Sequence, residues 1–119
     1  MLPIMTCHTI LYCRKWKECI SFYRDFLGFP VVFDNNILVE LESAPNVRLG
    51  LMNVSRTKRN ITAPENIVLS FRVTNIEKVY NLLREKCNGA MEWNHRWGTP
   101  VVELKDPEGR MIEFWSKKN

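Results

Sequence analysis

Asp106-Pro107-Glu108-Gly109-Arg110-Met111-Ile112-Glu113-Phe114-Trp115 says more about the architecture than any other part of the chain. Its first four residues are turn chemistry: proline presets φ at the second turn position, and glycine accepts the positive φ that ends a tight turn. Val102 and Leu104 alternate before the turn, and Met111 to Trp115 alternate after it. The stretch therefore reads as a β-hairpin. Period-two geometry puts Met111, Glu113 and Trp115 on one face and Ile112 and Phe114 on the other. Glu113 is then an acidic residue amid an apolar strand, and such a carboxylate wants a partner, a ligand or water.

Outward from this hairpin, Thr99–Lys105, Ala90–Trp93 and Ile67–Val73 read as the preceding strands, with Arg110–Trp115 as the last. On the earliest of them Val68, Ser70 and Arg72 share a face. Thr74-Asn75-Ile76-Glu77 matches a capping box, with Thr74 as the cap. Ile76, Val79, Tyr80, Leu83 and Cys87 follow at helical spacing, with Gly89 just beyond. Residues 54–66 are polar and basic, contain Pro64, and read as a linker.

Before the linker the same pattern occurs once already. Residues 4–13 form a first strand, with His8, Ile10 and Tyr12 on one face. Trp16, Cys19, Ile20, Tyr23 and Leu27 make the apolar stripe of a helix over about residues 16–27, ended by Gly28 at the C′ position. Val31–Phe33, Ile37–Glu42 and Val47–Asn53 are three more strands. Each half is thus strand, helix, strand, strand, strand. The repeat is one of pattern, with an offset of about 60 residues, too long for a solenoid.

At 119 residues and 14.1 kDa the chain is one domain or two small modules sharing a core. A chain of this size buries roughly two-thirds of its unfolded surface, so neither a metal nor a disulfide is required for stability. No apolar run approaches the ~18 residues of a membrane span and no signal-peptide pattern opens the sequence, which points to a cytoplasmic protein. The four cysteines, Cys7, Cys13, Cys19 and Cys87, lack CxxC spacing and read as buried, reduced thiols. Net charge is +4, part of it in Arg56-Thr57-Lys58-Arg59-Asn60. No basic stripe with aromatics and no recognition helix accompanies it, so nucleic acid is not an expected partner.

The layout resembles the vicinal oxygen chelate superfamily of glyoxalase, bleomycin-resistance and extradiol-dioxygenase proteins. The resemblance is carried by His8, Phe22-Tyr23-Arg24-Asp25-Phe26-Leu27-Gly28-Phe29, Phe71-Arg72-Val73-Thr74-Asn75-Ile76, Trp97-Gly98 and the stretch from Asp106 to Phe114. It implies an α+β fold in which two paired βαβββ modules, about residues 4–53 and 67–116, curl their mixed sheets into a cup with helices outside. Metal-dependent members place ligands on the first and fourth strands of each module. Those positions fall here on His8 and Glu113, which suit zinc, nickel, iron or manganese, and on Gly50 and Val68, which cannot ligate. His95, read as a loop residue before Trp97, is the other histidine.

The resemblance also implies a cup wall that includes Tyr12, Arg48, Met52, Ser70, Arg72, Met111 and Trp115, with Trp93 and Trp97 at its rim. Arg48 and Arg72 would hold an anionic group or pair with Glu40, Glu103 or Glu113. Three accounts of His8 and Glu113 stand side by side: a metal site with Glu113 as ligand or proton shuttle, a direct His8–Glu113 contact lining an organic pocket, and a structural polar contact. They give two main functional expectations. The first is a protein of the bleomycin-resistance kind that binds an aromatic or anionic small molecule without a complete metal site. The second is a metal-dependent lyase, isomerase, transferase or dioxygenase using His8 and Glu113. A homodimer is expected in either case.

Overall fold

A computed structural model describes residues 1–58, 67–87 and 90–117. The chain divides into two compact units, Met1–Ala63 and Pro64–Asn119. In the first unit β1 (His8–Cys13) leads into helix α1 (Trp16–Ile20), followed by β2 (Val31–Asp34), β3 (Leu38–Ala44) and β4 (Val47–Asn53). In the second, β5 (Val68–Arg72) leads into α2 (Ile76–Lys86), followed by β6 (Glu92–Arg96), β7 (Thr99–Lys105) and β8 (Met111–Trp115). The sheets have strand orders β1-β4-β3-β2 and β5-β8-β7-β6, each with one parallel pair and two antiparallel pairs. The protein is therefore α+β, built on the βαβββ pattern twice over, and neither sheet closes into a barrel.

Each sheet buries the face that its helix covers. In the first unit Leu11, Cys13, Val39, Leu41, Leu49 and Leu51 are buried with Cys19 and Tyr23 from the helical segment. In the second, Val102, Leu104, Ile112 and Phe114 lie under α2, which contributes Ile76 and Leu83. A fully buried side chain of this kind stabilises the fold by about 1.5–3 kcal/mol relative to exposure. Burial along β8 alternates as period two requires: Ile112 and Phe114 are buried, while Met111, Glu113 and Trp115 are half-buried.

The β7–β8 turn is closed by more than proline and glycine. Gly109 has φ +87°, and its N–H donates to the Asp106 carbonyl at 2.9 Å. Asp106 Oδ1 accepts from the backbone N–H of Glu108 and of Arg110, each at 2.9 Å. Its Oδ2 accepts from Arg110 Nη1 at 2.9 Å, with the two side chains only 0% and 1% exposed. Asp106 is thus an Asx-turn residue and the anion of a buried ion pair at once.

Several elements depart from expectation. β1 begins at His8 rather than residue 4 because its partner β4 starts only at Val47: His8 pairs with Arg48, and residues before Cys7 have no β4 residue opposite them. The first helix is α-helical only to Ile20 and continues as a π-helical turn, Ser21–Phe26, in which Leu27 N–H donates to the Phe22 carbonyl. In this segment Phe22 meets both Tyr23 and Phe26, at ring-centroid distances of 5.0 and 5.2 Å. The cap of α2 is Asn75, not Thr74; its side chain accepts from Lys78 N–H at 3.1 Å. β6 covers Glu92–Arg96 instead of Ala90–Trp93, so His95 is a strand residue. That strand is polar because it is an edge strand, and pairing with β7 outweighs its low β-propensity. Val54–Arg56 form a short 3₁₀ turn at the start of the expected linker. Arg59, Asn60, Pro64 and Gly89 lie outside the described residues.

Candidate functional site

In the first unit the strand register assembles one sheet face from three strands. β1 contributes His8, Ile10 and Tyr12; β4 contributes Arg48, Gly50 and Met52; β3 contributes Leu38, Glu40 and Glu42. His8 Nδ1 and Glu40 Oε2 are 2.6 Å apart, with side chains 36% and 12% exposed. This contact spans β4, since His8 is opposite Arg48 and Glu40 is opposite Gly50. Gly50 has no side chain to obstruct it. A Cβ there would lie 3.1 Å from Leu38 Cδ1 and 3.3 Å from Ile10 Cγ1. Aliphatic groups therefore fill the space above Gly50.

The second unit treats the matching face differently. Glu92, Glu103, Glu113 and Ser70 form a single row across β6, β7, β8 and β5. Like charges directly opposite one another destabilise a sheet, and the neighbouring row relieves part of this. Glu103 Oε1 accepts from Asn94 Nδ2 at 2.9 Å and from Arg96 Nη2 at 2.8 Å. Asn94 Nδ2 also donates to Glu92 Oε2 at 3.2 Å. Trp115 Nε1 donates to Ser70 Oγ at 3.1 Å, and the Arg72 guanidinium carbon lies 5.6 Å from the Trp115 ring centroid. The Trp115 indole is thereby held from its edge and one face.

Beside this row opens a pocket of about 370 Å³ lined by Arg96, Trp97, Thr99, Val101, Glu113 and Trp115. That volume is in the range of small-molecule sites, roughly 300–1,000 Å³. Trp97 and Gly98 are the central residues of the β6–β7 turn, with φ +56° and +73° between the paired Arg96 and Thr99. Two positive φ angles in a two-residue hairpin turn favour Asn-Gly or Gly-Gly. A bulky residue held there costs on the order of 1–3 kcal/mol. Trp97 bears that strain while its side chain stands fully in solvent.

Of the residues expected at a site, Trp97, Glu113 and Trp115 come together at this pocket. Ser70 and Arg72 do not line it but fix Trp115. Met111 shares their sheet face, opposite Val68 and Lys105. His8, Tyr12, Arg48 and Met52 belong to the first unit's face. Glu40 and Glu103, which the sequence offered as one alternative set of partners for Arg48 and Arg72, are engaged by His8 and by Arg96 with Asn94. The sequence reading missed Arg96, Thr99 and Val101. A signal for them existed: Trp97-Gly98 as a two-residue turn would have made Arg96 and Thr99 its flanking pair.

The donor set for a metal is short. His8 and Glu113 occupy two of the four expected ligand positions, and Gly50 and Val68 supply no donor atom. Among the described residues no group of three or more His, Cys, Asp or Glu side chains is placed to hold a metal ion. A catalytic zinc site keeps three protein ligands, so the described residues do not fit one. Among the described residues no helix is long and apolar enough to cross a membrane.

Comparison with known proteins agrees with this architecture. The uncharacterized protein YraH of Bacillus subtilis is 25% identical over 118 residues, covering 88% of this chain and 92% of that one. Lactoylglutathione lyase from Agrobacterium tumefaciens superposes with a TM-score of 0.76 at 20% identity, over 97% of this chain and 94% of the other. The bleomycin-binding protein of Streptomyces verticillus, solved with copper(II)-bleomycin, gives 0.74 at 18% identity over 99% and 100% of the two chains. At these identities the two structures speak to the fold alone. The glyoxalase-like domain model matches residues 6–117, nearly the whole sequence, and the chain belongs to that family within the vicinal oxygen chelate superfamily.

Proposed function

We propose that the protein binds a small aromatic molecule in the pocket of its second unit, and does so without a complete metal site. The observation that carries this reading is the set of groups lining the pocket: two indoles, a guanidinium, a hydroxyl and a carboxylate around about 370 Å³. An apolar wall with a few polar tips is the ordinary composition of a small-molecule site. Trp115 supplies a fixed stacking surface, because Ser70 and Arg72 hold it. Trp97 supplies a second indole at the rim, kept there at a conformational cost. Aromatic pairs of this kind contribute about 0.5–1.5 kcal/mol beyond the area they bury. The bleomycin-binding neighbour is the relative whose named role agrees with this reading. A homodimer and a cytoplasmic setting belong to the same proposal.

Calorimetric titration with a panel of small aromatic compounds tests it. Trp97→Ala, which removes a fully exposed side chain, is expected to weaken every pocket ligand about tenfold, or 1.4 kcal/mol. Binding that survives unchanged would place the ligand elsewhere. Elemental analysis of protein purified without chelator tests the metal part separately. Stoichiometric metal that disappears in His8→Ala would replace this reading with the metal-dependent one.

A further inference from the structure

The geometry points to an organic cation, a protonated amine or a quaternary ammonium group carried on an aromatic body, as the ligand class that this pocket selects. The inference rests on the pocket reading above and adds the sign of the charge. Two ionic side chains line the pocket, and they are not in the same condition. Arg96 is already committed: its Nη2 donates to Glu103 Oε1 at 2.8 Å, and its side chain is 57% exposed. Glu113 is not. Within the described residues of its unit it makes no ion pair and no hydrogen bond, while Glu103 stands directly opposite it in the sheet.

A half-buried carboxylate facing another carboxylate is a site waiting for positive charge. Three glutamates, Glu92, Glu103 and Glu113, share the row, and the cation that lines the pocket is spent on the middle one. An anionic ligand would meet Glu113, and the guanidinium in the lining already has Glu103 as its counter-ion. A cationic ligand would supply the partner that Glu113 lacks among the described residues of its unit.

The two indoles give the same sign. An indole face attracts a cation through its ring quadrupole, more strongly when the pair is shielded from water. Trp115 already does this for Arg72, whose guanidinium carbon sits 5.6 Å from its ring centroid. Arg72 does not line the pocket, so it occupies one side of the ring without filling the cavity. Trp97 brings a second, fully exposed indole to the same opening. A pocket lined by a carboxylate and two indoles suits an organic cation.

The test uses three probes of similar size: phenyltrimethylammonium, benzenesulfonate and benzyl alcohol, titrated calorimetrically into wild type, Glu113→Gln and Trp97→Ala. Wild type is expected to bind the cation at least about tenfold more tightly than either other probe. Glu113→Gln should erase most of that preference. Trp97→Ala should weaken every probe that binds. Equal or tighter binding of the sulfonate by wild type, or a cation preference that survives Glu113→Gln in folded protein, overturns the cation assignment while the pocket stands. If no probe binds, or if Trp97→Ala alters none of them, the pocket itself fails. The ranking of probes on wild type requires no variant to fold.

Discussion

The two units share one strand order and one register, yet they treat equivalent positions in opposite ways. His8 of β1 corresponds to Val68 of β5, and Gly50 of β4 to Glu113 of β8. The first unit has the histidine without the glutamate, and the second has the glutamate without the histidine. Glu40 and Glu103 are equivalent as well, opposite Gly50 and Glu113 respectively. Glu40 is claimed from one side, by His8 across the gap that Gly50 leaves. Glu103 cannot be claimed from that side, because valine stands in the histidine's place. It is claimed from the other, by Asn94 and Arg96 of the edge strand. One backbone plan thus gives a closed polar contact in one unit and an open, charged pocket in the other. Which of the two forms depends on a few side chains on an otherwise equal scaffold.

The largest expected effect concerns the turns before β4 and β8. The first unit makes its turn with Pro45 and Asn46, the latter at φ +64°. The second spends a buried ion pair. Asp106→Ala should therefore cost about 3–5 kcal/mol in denaturant unfolding, because it strands the buried Arg110. A loss below about 1 kcal/mol would mean that the pair is decoration. Next is the gap in the first unit. Gly50→Ala should cost about 1–3 kcal/mol as Leu38 and Ile10 give way, and a neutral outcome would show the face to be loosely filled.

A smaller effect of opposite sign is expected at the rim. Trp97→Asn converts the β6–β7 turn to Asn-Gly and should raise stability by about 1 kcal/mol, while lowering ligand affinity in the calorimetric assay. No gain in stability would remove the strain from the account. The smallest change belongs to Glu40→Gln, which leaves a partly exposed pair and should shift the unfolding midpoint by less than about 1 kcal/mol equivalent.

Most of the fold was legible from period and punctuation. The alternation in Val47–Asn53 and Thr99–Lys105 gave those strands with their observed bounds, and Asp106-Pro107-Glu108-Gly109 gave the turn between the last two. What failed was set by partners distant in sequence. The start of β1 depends on where β4 begins, and the polar edge strand β6 is held by β7 rather than by its own propensity. The site was legible only in part, for the same reason. Alternation placed Glu113 and Trp115 on one face, and the family resemblance, not a turn reading, drew attention to Trp97. That Glu40 meets His8, and that Arg96 reaches Glu103, follows from strand register, which hydrophobic spacing alone does not supply.

The central claim is that ligand enters beside the second unit's glutamate row. Four tryptophans, Trp16, Trp93, Trp97 and Trp115, report on it, because each indole N–H gives its own signal in a nitrogen–proton NMR spectrum. Titration with phenyltrimethylammonium should move the Trp97 and Trp115 signals together along one binding curve. Trp16, which donates to the Leu51 carbonyl at 2.8 Å, and Trp93, packed edge-on against Tyr80, should stay in place. A ligand that binds while Trp97 and Trp115 stand still would contradict the account.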